Sequence, residues 1–442
     1  MVTRASAQTF AIIVALVVAL CLLVVPAATD DARALETESF VPGQIIIKLA
    51  PGVSIGDVNL SGYGLKVQEP FLDKTNTDIY LLQATDGSSA QSKLDAILGN
   101  PLIAYAELNY LSDAPEADAR HHAFPAGDAT PTTRNYSRDA SYPDSALNLT
   151  AARQINQGEG TTVAVIDTGA QLDHPALKAS FAGVPRYDFV DGDTNPSEPP
   201  LAKTDQQRAQ EVVGHGTHVA GIVHLVAPQA HIMPLRVLDR EGYGTVFHVA
   251  EAVAFANAKG ADVLNLSLGS PSWSRLLREK INKAIDDGVV VVAAAGNYNS
   301  ERPQYPASNF LPAALDRDGL LAVTSVSAAE KKSDFANYGK WVDLVAPGEE
   351  ILSTYPVSKY AYWSGTSMAT PFVSGEAALI HSVEGSLDPG GVEWRIRLGA
   401  RCVDQENDLF YSGKLGAGEP DVEASLKQVY SKDQHCTSLT NL

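Results

Sequence analysis

Short apolar runs rich in β-branched residues alternate with helical segments from about residue 146 to residue 385. Strands buried on both faces of a sheet read as such continuous apolar runs, and their alternation with helices indicates a parallel sheet. We therefore predict an α/β domain over residues 146–430, with a mainly parallel central sheet flanked by helices. Its strands are predicted at Val163–Ile166, Ile232–Val237, Val263–Leu266, Val289–Ala293, Leu320–Val326 and Trp341–Val345.

The residues before this domain have a different pattern. Residues 40–112 predict a small α+β unit, and the polar stretch after it has a linker composition over residues 113–145. Residues 431–442 form a predicted C-terminal tail. The small unit is built from predicted strands and one amphipathic helix at Gln44–Leu49, Asp78–Leu82, Ala90–Leu98 (the helix) and Ile103–Leu111.

The N-terminus carries a targeting signal. Arg4 precedes an uncharged run from Phe10 to Ala28 that ends in small residues, which predicts a signal peptide over residues 1–28 and a secreted protein, extracellular or periplasmic. The run is close to the ~20 residues that span a bilayer. An uncleaved membrane anchor through residues 10–28 is therefore the alternative, and it is the one case in which a membrane would be a partner.

Two further whole-chain features limit the partners and the covalent structure. In an oxidising compartment Cys402 and Cys436 favour one disulfide, with two free buried thiols as the alternative. The formal net charge of -19 argues against nucleic acid as a partner, because a phosphate backbone would be repelled.

Polar residues stand at the ends of three predicted strands. Asp167 ends the first, Ser267 closes another, and Asn297 follows Gly296 after a third. In α/β sheets, binding sites form at the carboxyl ends of the strands. Each of these residues alone is most simply a turn or cap residue, but together they predict a crevice at one edge of the sheet.

His215 and Ser367 each precede a predicted helix. His215 is flanked by glycines that allow close backbone approach, and Ser367 lies before a long apolar segment whose helix N-terminus adds a positive field. Pro371 is tolerated near a helix start, where N–H groups lack partners. His218 at i+3 from His215 could indicate a metal, but no third ligand is at hand, so we predict no metal there and a structural role for His218.

The segments around these residues resemble the subtilases, the subtilisin-like serine proteases of peptidase family S8. The resemblance covers residues 145–425 and follows the family's order of Asp, then His, then Ser. The block around the serine is highly specific. The matching blocks are Val165–Gly169, His215–Gly221, Asn265–Gly269, Ala295–Asn297 and Gly365–Pro371.

The resemblance implies a subtilisin-like fold and a serine endopeptidase acting on protein or peptide substrates. Asp167, His215 and Ser367 would form the catalytic triad, as in the known mechanism of this family. Asn297 and the backbone N–H of Ser367 would stabilise the oxyanion. No cofactor is required.

The resemblance also implies where a substrate binds. Gly242-Tyr243-Gly244 and Ser267-Leu268-Gly269 resemble the two strands that pair with an extended peptide, and Ala295 and Gly296 help to frame the primary pocket. Gln304 stands where a smaller residue is common, and we hypothesise that it narrows the pocket.

Residues 40–112 resemble a subtilase propeptide, which assists folding and inhibits the enzyme until it is cleaved. The catalytic domain would then bind its own propeptide, and we expect the protein to act as a monomer. The last propeptide strand, Ala106–Leu111, is expected in the substrate cleft, and maturation is expected within residues 113–145.

The sequence departs from the family at a tight calcium site. Many subtilases have an Asp directly after a His-Pro pair and an inserted loop after the catalytic-His helix. Here Ala176 follows His174-Pro175, and only residues 222–225 separate Gly221 from Val226. Since calcium needs about 6–8 oxygen ligands, we predict that this site is absent. A weaker calcium site is left open.

Two other functions remain open at this point. A subtilase-like binding module that has lost activity would keep the fold without catalysis. A ligase or cyclase would pass the acyl-enzyme to an amine instead of water.

Overall fold

The computed structural model describes residues 40–72, 77–117, 141–204, 211–299, 310–429 and 436. The predicted signal peptide, most of the predicted linker, Gln304 and most of the predicted C-terminal tail lie outside these residues. Fourteen strands are described: β1 Phe40–Leu49, β2 Leu65–Pro70, β3 Ile79–Ala84, β4 Ile103–Asp113, β5 Thr162–Asp167, β6 Tyr187–Asp188, β7 His231–Arg236, β8 Tyr243–Thr245, β9 Val263–Leu266, β10 Val290–Ala294, β11 Leu320–Val326, β12 Leu344–Pro347, β13 Ile351–Tyr355 and β14 Lys359–Trp363.

The described α-helices are α1 Ala90–Ile97, α2 Ser141–Ala146, α3 Leu149–Ile155, α4 His215–Val226, α5 Val246–Ala258, α6 Arg275–Asp286, α7 Thr366–Val383, α8 Pro389–Gly399 and α9 Val422–Lys427. Short 3₁₀ helices lie at Ile55–Asp57, Leu60–Tyr63, Ala313–Leu315 and Leu409–Tyr411.

The centre of the α/β domain is a seven-stranded sheet in the order β12-β11-β10-β9-β5-β7-β6. Every strand pair in it is parallel, which confirms the predicted sheet. Its core residues point alternately to the two faces. Val163 and Val165 belong to the hydrophobic core that the sheet forms with α4 and α7. Ala164 and Ile166 belong to the core on the other face, which the sheet forms with α5 and α6. Burial on both faces explains the unbroken apolar run of β5.

The N-terminal unit has its own core. Its sheet has the order β2-β3-β1-β4-β8, and β8 is contributed by the α/β domain. Ile45 and Ile47 face the unit's core with α1, whereas Ile46 belongs to the cluster of α5 and α6. The ring of Phe71 meets that of Phe247 on α5 edge to face, with centroids 5.6 Å apart. Successive side chains of β1 point to opposite faces of the sheet, so one face forms the interior of this unit and the other packs against the α/β domain.

Some elements were not predicted. Strand β2 is mostly exposed, so it lacks the apolar alternation that marks a half-buried strand. The hairpin β13–β14 was missed because polar residues interrupt its apolar pattern, although Ser353 and Thr354 are buried with their hydroxyls bonded to backbone carbonyls of α4. The last predicted sheet strand begins at Leu344 instead of Trp341.

The structure bears on the predicted disulfide and on membrane-spanning helices. Cys402 and Cys436, the pair for which the sequence favours a bridge, are joined by a disulfide with their Cα atoms 4.8 Å apart. Within the part of the chain that the structure describes, no helix has the length and apolarity needed to cross a membrane. The Phe10–Ala28 run falls outside that part.

Candidate active site

The residues singled out in the sequence lie at one edge of the central sheet. Asp167 is the last residue of β5, and Asn297 follows β10, two positions from β5 in the strand order. His215 is the first residue of α4, and Ser367 is the second residue of α7. Because parallel strands end at the same edge, the fold brings together residues that are far apart in the sequence.

The carboxylate of Asp167 orients the imidazole of His215. His215 Nδ1 lies 2.7 Å from Asp167 Oδ1, and both side chains are completely buried. The backbone N–H of Thr168 donates to the same oxygen at 2.7 Å. With Nδ1 donating to Asp167, the other ring nitrogen, Nε2, is the one that would act on a reacting group. In this structure it lies 3.0 Å from Glu116 Oε2, the oxygen to which the Ser367 hydroxyl also donates.

Charge around His215 stabilises its protonated form. Burial by itself lowers the pKa of His215, but the adjacent Asp167 carboxylate and then Glu116 outweigh it and raise the pKa to about 10. His218 is the nearest other titratable ring, and burial lowers its pKa to about 3, so it is neutral. Glu198 accepts hydrogen bonds from Gly214 and Thr217, which lie on either side of His215 in the sequence.

The hydroxyl of Ser367 is positioned by an interrupted helix. Pro371 is the sixth residue of α7, not one of the first four as the sequence suggested, so it removes the helical bond to the carbonyl of Ser367. Ser267 Oγ donates to that carbonyl at 2.9 Å and satisfies it. Ser267, at the end of β9, thereby ties the start of α7 to the edge of the sheet.

The side-chain amide of Asn297 is held in one orientation by Thr366. The backbone N–H and hydroxyl of Thr366 donate to Asn297 Oδ1 at 3.0 and 2.9 Å. The amide nitrogen therefore points into the site, where a developing negative charge would need a donor. Thr366 also accepts the N–H of Gly296 at 3.1 Å, so one residue bonds both Gly296 and Asn297. No sequence pattern indicated this role of Thr366.

Glu116 is the residue that the sequence analysis missed most completely. Its side chain lies between the three groups just described and is completely buried. Ser367 Oγ donates to Glu116 Oε2 at 2.6 Å, and His215 Nε2 lies 3.0 Å from the same oxygen. Asn297 Nδ2 donates to Glu116 Oε1 at 2.9 Å. Among the described residues, the hydroxyl of Ser367 therefore bonds Glu116 rather than His215.

Strand pairing leads Glu116 into the site. Leu111, Ser112 and Asp113 pair with β8, opposite Thr245, Gly244 and Tyr243. The sequence placed Ala106–Leu111 in the cleft, but most of that run pairs with β1, and residues 111–114 take the cleft position. The prediction failed because β4 continues to Asp113, two residues beyond the last clearly apolar position.

The opposite side of the cleft is formed by the segment that directly follows β9. Asp113 and Gly269 exchange two backbone hydrogen bonds of 2.8 and 2.9 Å, and Ala114 N–H donates to the carbonyl of Gly242 at 3.0 Å. Gly269 needs to lack a side chain, because a Cβ there would lie 2.3 Å from the Phe310 ring. The Leu268 side chain is buried in the core, so only its backbone faces the cleft.

The pocket residues after β10 are only partly described. Ala295 is buried, and its carbonyl accepts from Asn337 Nδ2 at 2.7 Å. Gly296 has a positive φ of 96°, and a Cβ there would lie 2.6 Å from the same amide. Gln304, the residue expected at the base of the pocket, lies outside the described residues.

A second carboxylate connects the segments that carry Asp167 and His215. Glu198 accepts the hydroxyls of Thr168 and Thr217, each at 2.6 Å, and the N–H of Gly214 at 3.0 Å. Burial raises the pKa of Glu198 to about 7. Glu198 lies in an irregular segment, where no sequence pattern identified it.

The residues at the family's tight calcium position do not fit that ion. Ala176 offers no side-chain oxygen, and its N–H instead bonds His174 Nδ1 at 3.3 Å. Helix α4 ends at Val226, and Ala227 follows directly as its C-cap, so the ligand loop has no counterpart. Calcium prefers about 6–8 oxygen ligands, which these segments do not supply.

Two other clusters place potential metal ligands close together. Cys402 and Cys436 approach Asp404, but their sulfur atoms are already joined to each other. Glu69, His248 and Glu251 form the other group, at the boundary between the N-terminal unit and α5. Neither group adjoins the cluster of Asp167, His215 and Ser367.

A buried Asp–His pair, a serine at a helix start and an amide donor lie around one point on a parallel α/β scaffold, and these are the groups that a serine peptidase uses. A family model described as "Subtilase family" matches residues 158–409, and one described as "Fervidolysin N-terminal prodomain" matches residues 26–109. The chain belongs to the subtilase family. It is a serine-type endopeptidase with an N-terminal prodomain, made as a precursor.

Similar proteins agree with this assignment. A thermophilic serine proteinase of Bacillus sp. (strain AK1) is 34% identical over 361 residues, covering 78% of this chain and 80% of that protein. Thermitase of Thermoactinomyces vulgaris is 40% identical over 257 residues, covering 56% of this chain and 84% of thermitase. Fervidolysin from Fervidobacterium pennivorans, described as a keratinolytic enzyme related to subtilisin, superposes with a TM-score of 0.69 at 22% identity, covering 90% of this chain and 62% of that one, and supports the fold alone.

Proposed function

We propose that this endopeptidase hydrolyses peptide bonds through a Ser367–His215–Asp167 triad and an acyl-enzyme, with Asn297 and the Ser367 N–H as oxyanion donors. The observation that carries the proposal is the convergence of three side chains on one carboxylate. Ser367 Oγ, His215 Nε2 and Asn297 Nδ2 lie 2.6, 3.0 and 2.9 Å from the two oxygens of Glu116. A carbonyl carbon and its oxygen would occupy the same place.

In the proposed reaction, His215 Nε2 takes the proton of the Ser367 hydroxyl as Oγ bonds the carbonyl carbon of the substrate. The carbonyl electron pair moves onto oxygen, where Asn297 donates to it. When the intermediate collapses, the C–N bond breaks and the amine leaves with the proton from His215. Water then repeats these steps on the acyl-enzyme. General base catalysis contributes about 10²–10⁴ in rate, and one oxyanion donor about 10²–10³, a magnitude taken from a subtilisin.

Substitution of the nucleophile tests the proposal. A Ser367→Ala chain, matured in trans by wild-type enzyme and repurified, should lose fluorophosphonate labelling and cleavage of quenched peptides. Ser364→Ala is a matched control just before α7, because the Ser364 hydroxyl accepts the backbone N–H of Glu350 at 2.9 Å. Labelling that survives Ser367→Ala would contradict the assignment. Product masses showing joined rather than hydrolysed peptides would favour a ligase.

The substrate is expected to bind as an extended strand between Gly242–Gly244 and Ser267–Gly269. The backbone bonds from Asp113 and Ala114 to these segments support this arrangement, because they use main-chain groups that any peptide carries. Gln304 is proposed to narrow the primary pocket. Digestion of a peptide library should then disfavour large aromatic side chains before the cut, and a preference for them would contradict this role.

The precursor is proposed to be inhibited until its prodomain is removed, with maturation within residues 113–145. It is further proposed to act as a monomer, exported by cleavage after residue 28. N-terminal sequencing of the exported protein tests both cuts: a mature N-terminus inside residues 113–145 is expected. Cell-associated chains that begin at residue 1 would instead support an anchor through residues 10–28. Sedimentation of the mature enzyme would detect a dimer.

The enzyme is proposed to lack the family's tight calcium site. Two features support this proposal: the Ala176 side chain has no oxygen, and α4 ends at Val226 without an inserted loop that could supply ligands. Equilibrium dialysis of the mature enzyme should find no tightly bound calcium. One equivalent retained against a chelator would contradict the proposal, whereas weak binding elsewhere would not.

A further inference from the structure

The carboxylate of Glu116 engages three of the four side chains that the proposed reaction uses, all except Asp167. His215 Nε2 lies 3.0 Å from Glu116 Oε2. Because a carboxylate can only accept, this nitrogen must be the donor and cannot take a proton from serine. The Ser367 hydroxyl donates its proton to the same carboxylate oxygen, and the Asn297 amide is used by the other. Base, nucleophile and oxyanion donor are thus all occupied by one side chain.

The site has room for this carboxylate because residue 365 is glycine. A Cβ at Gly365 would lie 1.7 Å from Glu116 Oε1 and 3.2 Å from Asn297 Nδ2. Gly365 has an extended backbone with φ 162°, so space and not conformation requires the glycine here. The same open volume would receive the oxygen of a substrate carbonyl.

The backbone turns away where the side chain enters. Ala114 is still paired with Gly242, but the N–H of Ala117 donates to the carbonyl of Ala114 at 2.8 Å, which closes a turn over residues 114–117. The Glu116 side chain, and not a peptide carbonyl of the extended segment, therefore lies against Ser367. A peptide bond within such a turn is not presented as an extended substrate.

We propose that Glu116 is an intramolecular ligand of the catalytic centre, bound there as a carboxylate in place of a scissile carbonyl, and that it keeps the precursor uncut. The ligand class of the centre in this state is a carboxylate anion held by N–H and O–H donors. This inference rests on the proposed function of Ser367 and His215. It goes beyond prodomain docking, because the docked strand could stay in place while one side chain leaves.

Labelling of Ser367 in uncut chains tests the inference. Full-length wild type, Glu116→Ala, Glu116→Gln and Glu116→Asp are refolded by dilution and exposed at early times to a fluorophosphonate, and label in the uncut band is quantified. Asp95→Asn, on the exposed side of α1, is the matched control because it removes one negative charge of the prodomain far from the site. Each chain is also made with Ser367→Ala, and its thermal unfolding midpoint is measured to establish that it is folded.

We expect Glu116→Ala and Glu116→Gln to be labelled at least about tenfold faster than wild type, the effect of losing ~1.4 kcal/mol of binding. Glu116→Asp keeps the charge but is one methylene shorter, so it should also be labelled faster. Asp95→Asn should match wild type. Folded Glu116 variants labelled at the wild-type rate, beside rapidly labelled mature enzyme, would overturn the inference. Mature wild type that is not labelled at all would instead overturn the proposed function.

Discussion

A buried carboxylate of the prodomain should be the strongest single anchor of its complex with the protease. Glu107, on β4, accepts the Ser274 hydroxyl at 2.8 Å and the backbone N–H groups of Arg275 and Leu276 at 2.7 and 3.1 Å. These donors form the first turn of α6, where N–H groups lack partners within the helix. We consider the perturbation Glu107→Ala.

The magnitude follows from these three bonds and from what offsets them. A hydrogen bond to a charged group contributes about 1.5–3 kcal/mol, and a carboxylate at a helix N-terminus about 0.3–1 kcal/mol more. The full value is not realised, because burial raises the pKa of Glu107 and so costs part of this gain. Ser274 also keeps its own cap bond to Leu277 at 3.2 Å. We expect a net loss of about 2–3 kcal/mol, which is roughly 30- to 150-fold in affinity.

The assay uses the processed complex, in which the cleaved prodomain remains bound. The complex is isolated, diluted, and followed by hydrolysis of a quenched peptide, so that recovery of activity reports prodomain release. Affinity changes at one interface act mostly through dissociation. Release from the Glu107→Ala complex should therefore be faster by most of the factor given above.

A partly exposed ion pair at the same interface provides the comparison. Lys48 Nζ lies 3.0 Å from Glu279 Oε2, with side chains 30% and 31% exposed, so Lys48→Ala should cost less than about 1 kcal/mol, or about fivefold in release. If Glu107→Ala released its prodomain no faster than wild type, or if Lys48→Ala had the larger effect, capping of α6 would not be the anchor.

Three further predictions follow from the site and the core. Glu198→Ala should lower kcat about tenfold with little change in KM. The wild-type kcat should fall on the acid side of about pH 7, where Glu198 gains a proton, and Glu198→Gln should abolish this pH dependence. A pH profile that is unchanged in both variants would contradict a positioning role for Glu198. Because Glu116 helps to raise the pKa of His215 to about 10, the occupied state binds a proton more tightly than the open state. Occupation by Glu116 is therefore complete below the open-state pKa and lost as pH rises toward 10, so labelling of uncut wild type should accelerate with pH by more than that of Glu116→Gln. Replacing Cys402 and its partner by alanine should lower the free energy of unfolding by about 2–4 kcal/mol, measured by urea unfolding in the Ser367→Ala background; a loss below about 1 kcal/mol would argue against the bridge.

The sequence predicted the fold of the α/β domain because its strands are buried on both faces. Continuous apolar runs such as Leu320–Val326 are recognisable without knowledge of their neighbours. Local pattern indicated only a crevice, since Asp167 ends a strand and His215 begins a helix beside glycines. The role of each residue in the candidate site was implied by the resemblance to the subtilases. Weakly patterned elements were missed, as the mostly exposed strand β2 shows.

The long-range contacts of Glu116 and Glu198 could not be predicted from local sequence patterns. Glu116 is 251 positions from Ser367 in the sequence and lies in a polar segment without periodicity, so nothing local distinguishes it from other linker carboxylates. Glu198 likewise bonds Thr168 and Thr217 from an irregular segment. Their importance comes from which donors they meet, and only the folded chain brings those donors together.

The prodomain and the protease contact each other repeatedly in the same way, through a carboxylate that accepts hydrogen bonds from N–H or O–H donors. Glu107 satisfies donors at the start of α6, Glu116 satisfies the donors of the catalytic centre, and Glu251 of the protease accepts the N–H of Leu72 at 2.8 Å in return. A centre built to stabilise an oxyanion must present unpaired N–H and O–H donors, and such donors bind a carboxylate for the same electrostatic reason. Inhibition by Glu116 then needs no dedicated pocket. The better the centre stabilises a transition state, the more tightly it should hold this side chain, so substitutions such as Asn297→Ala should weaken catalysis and inhibition together.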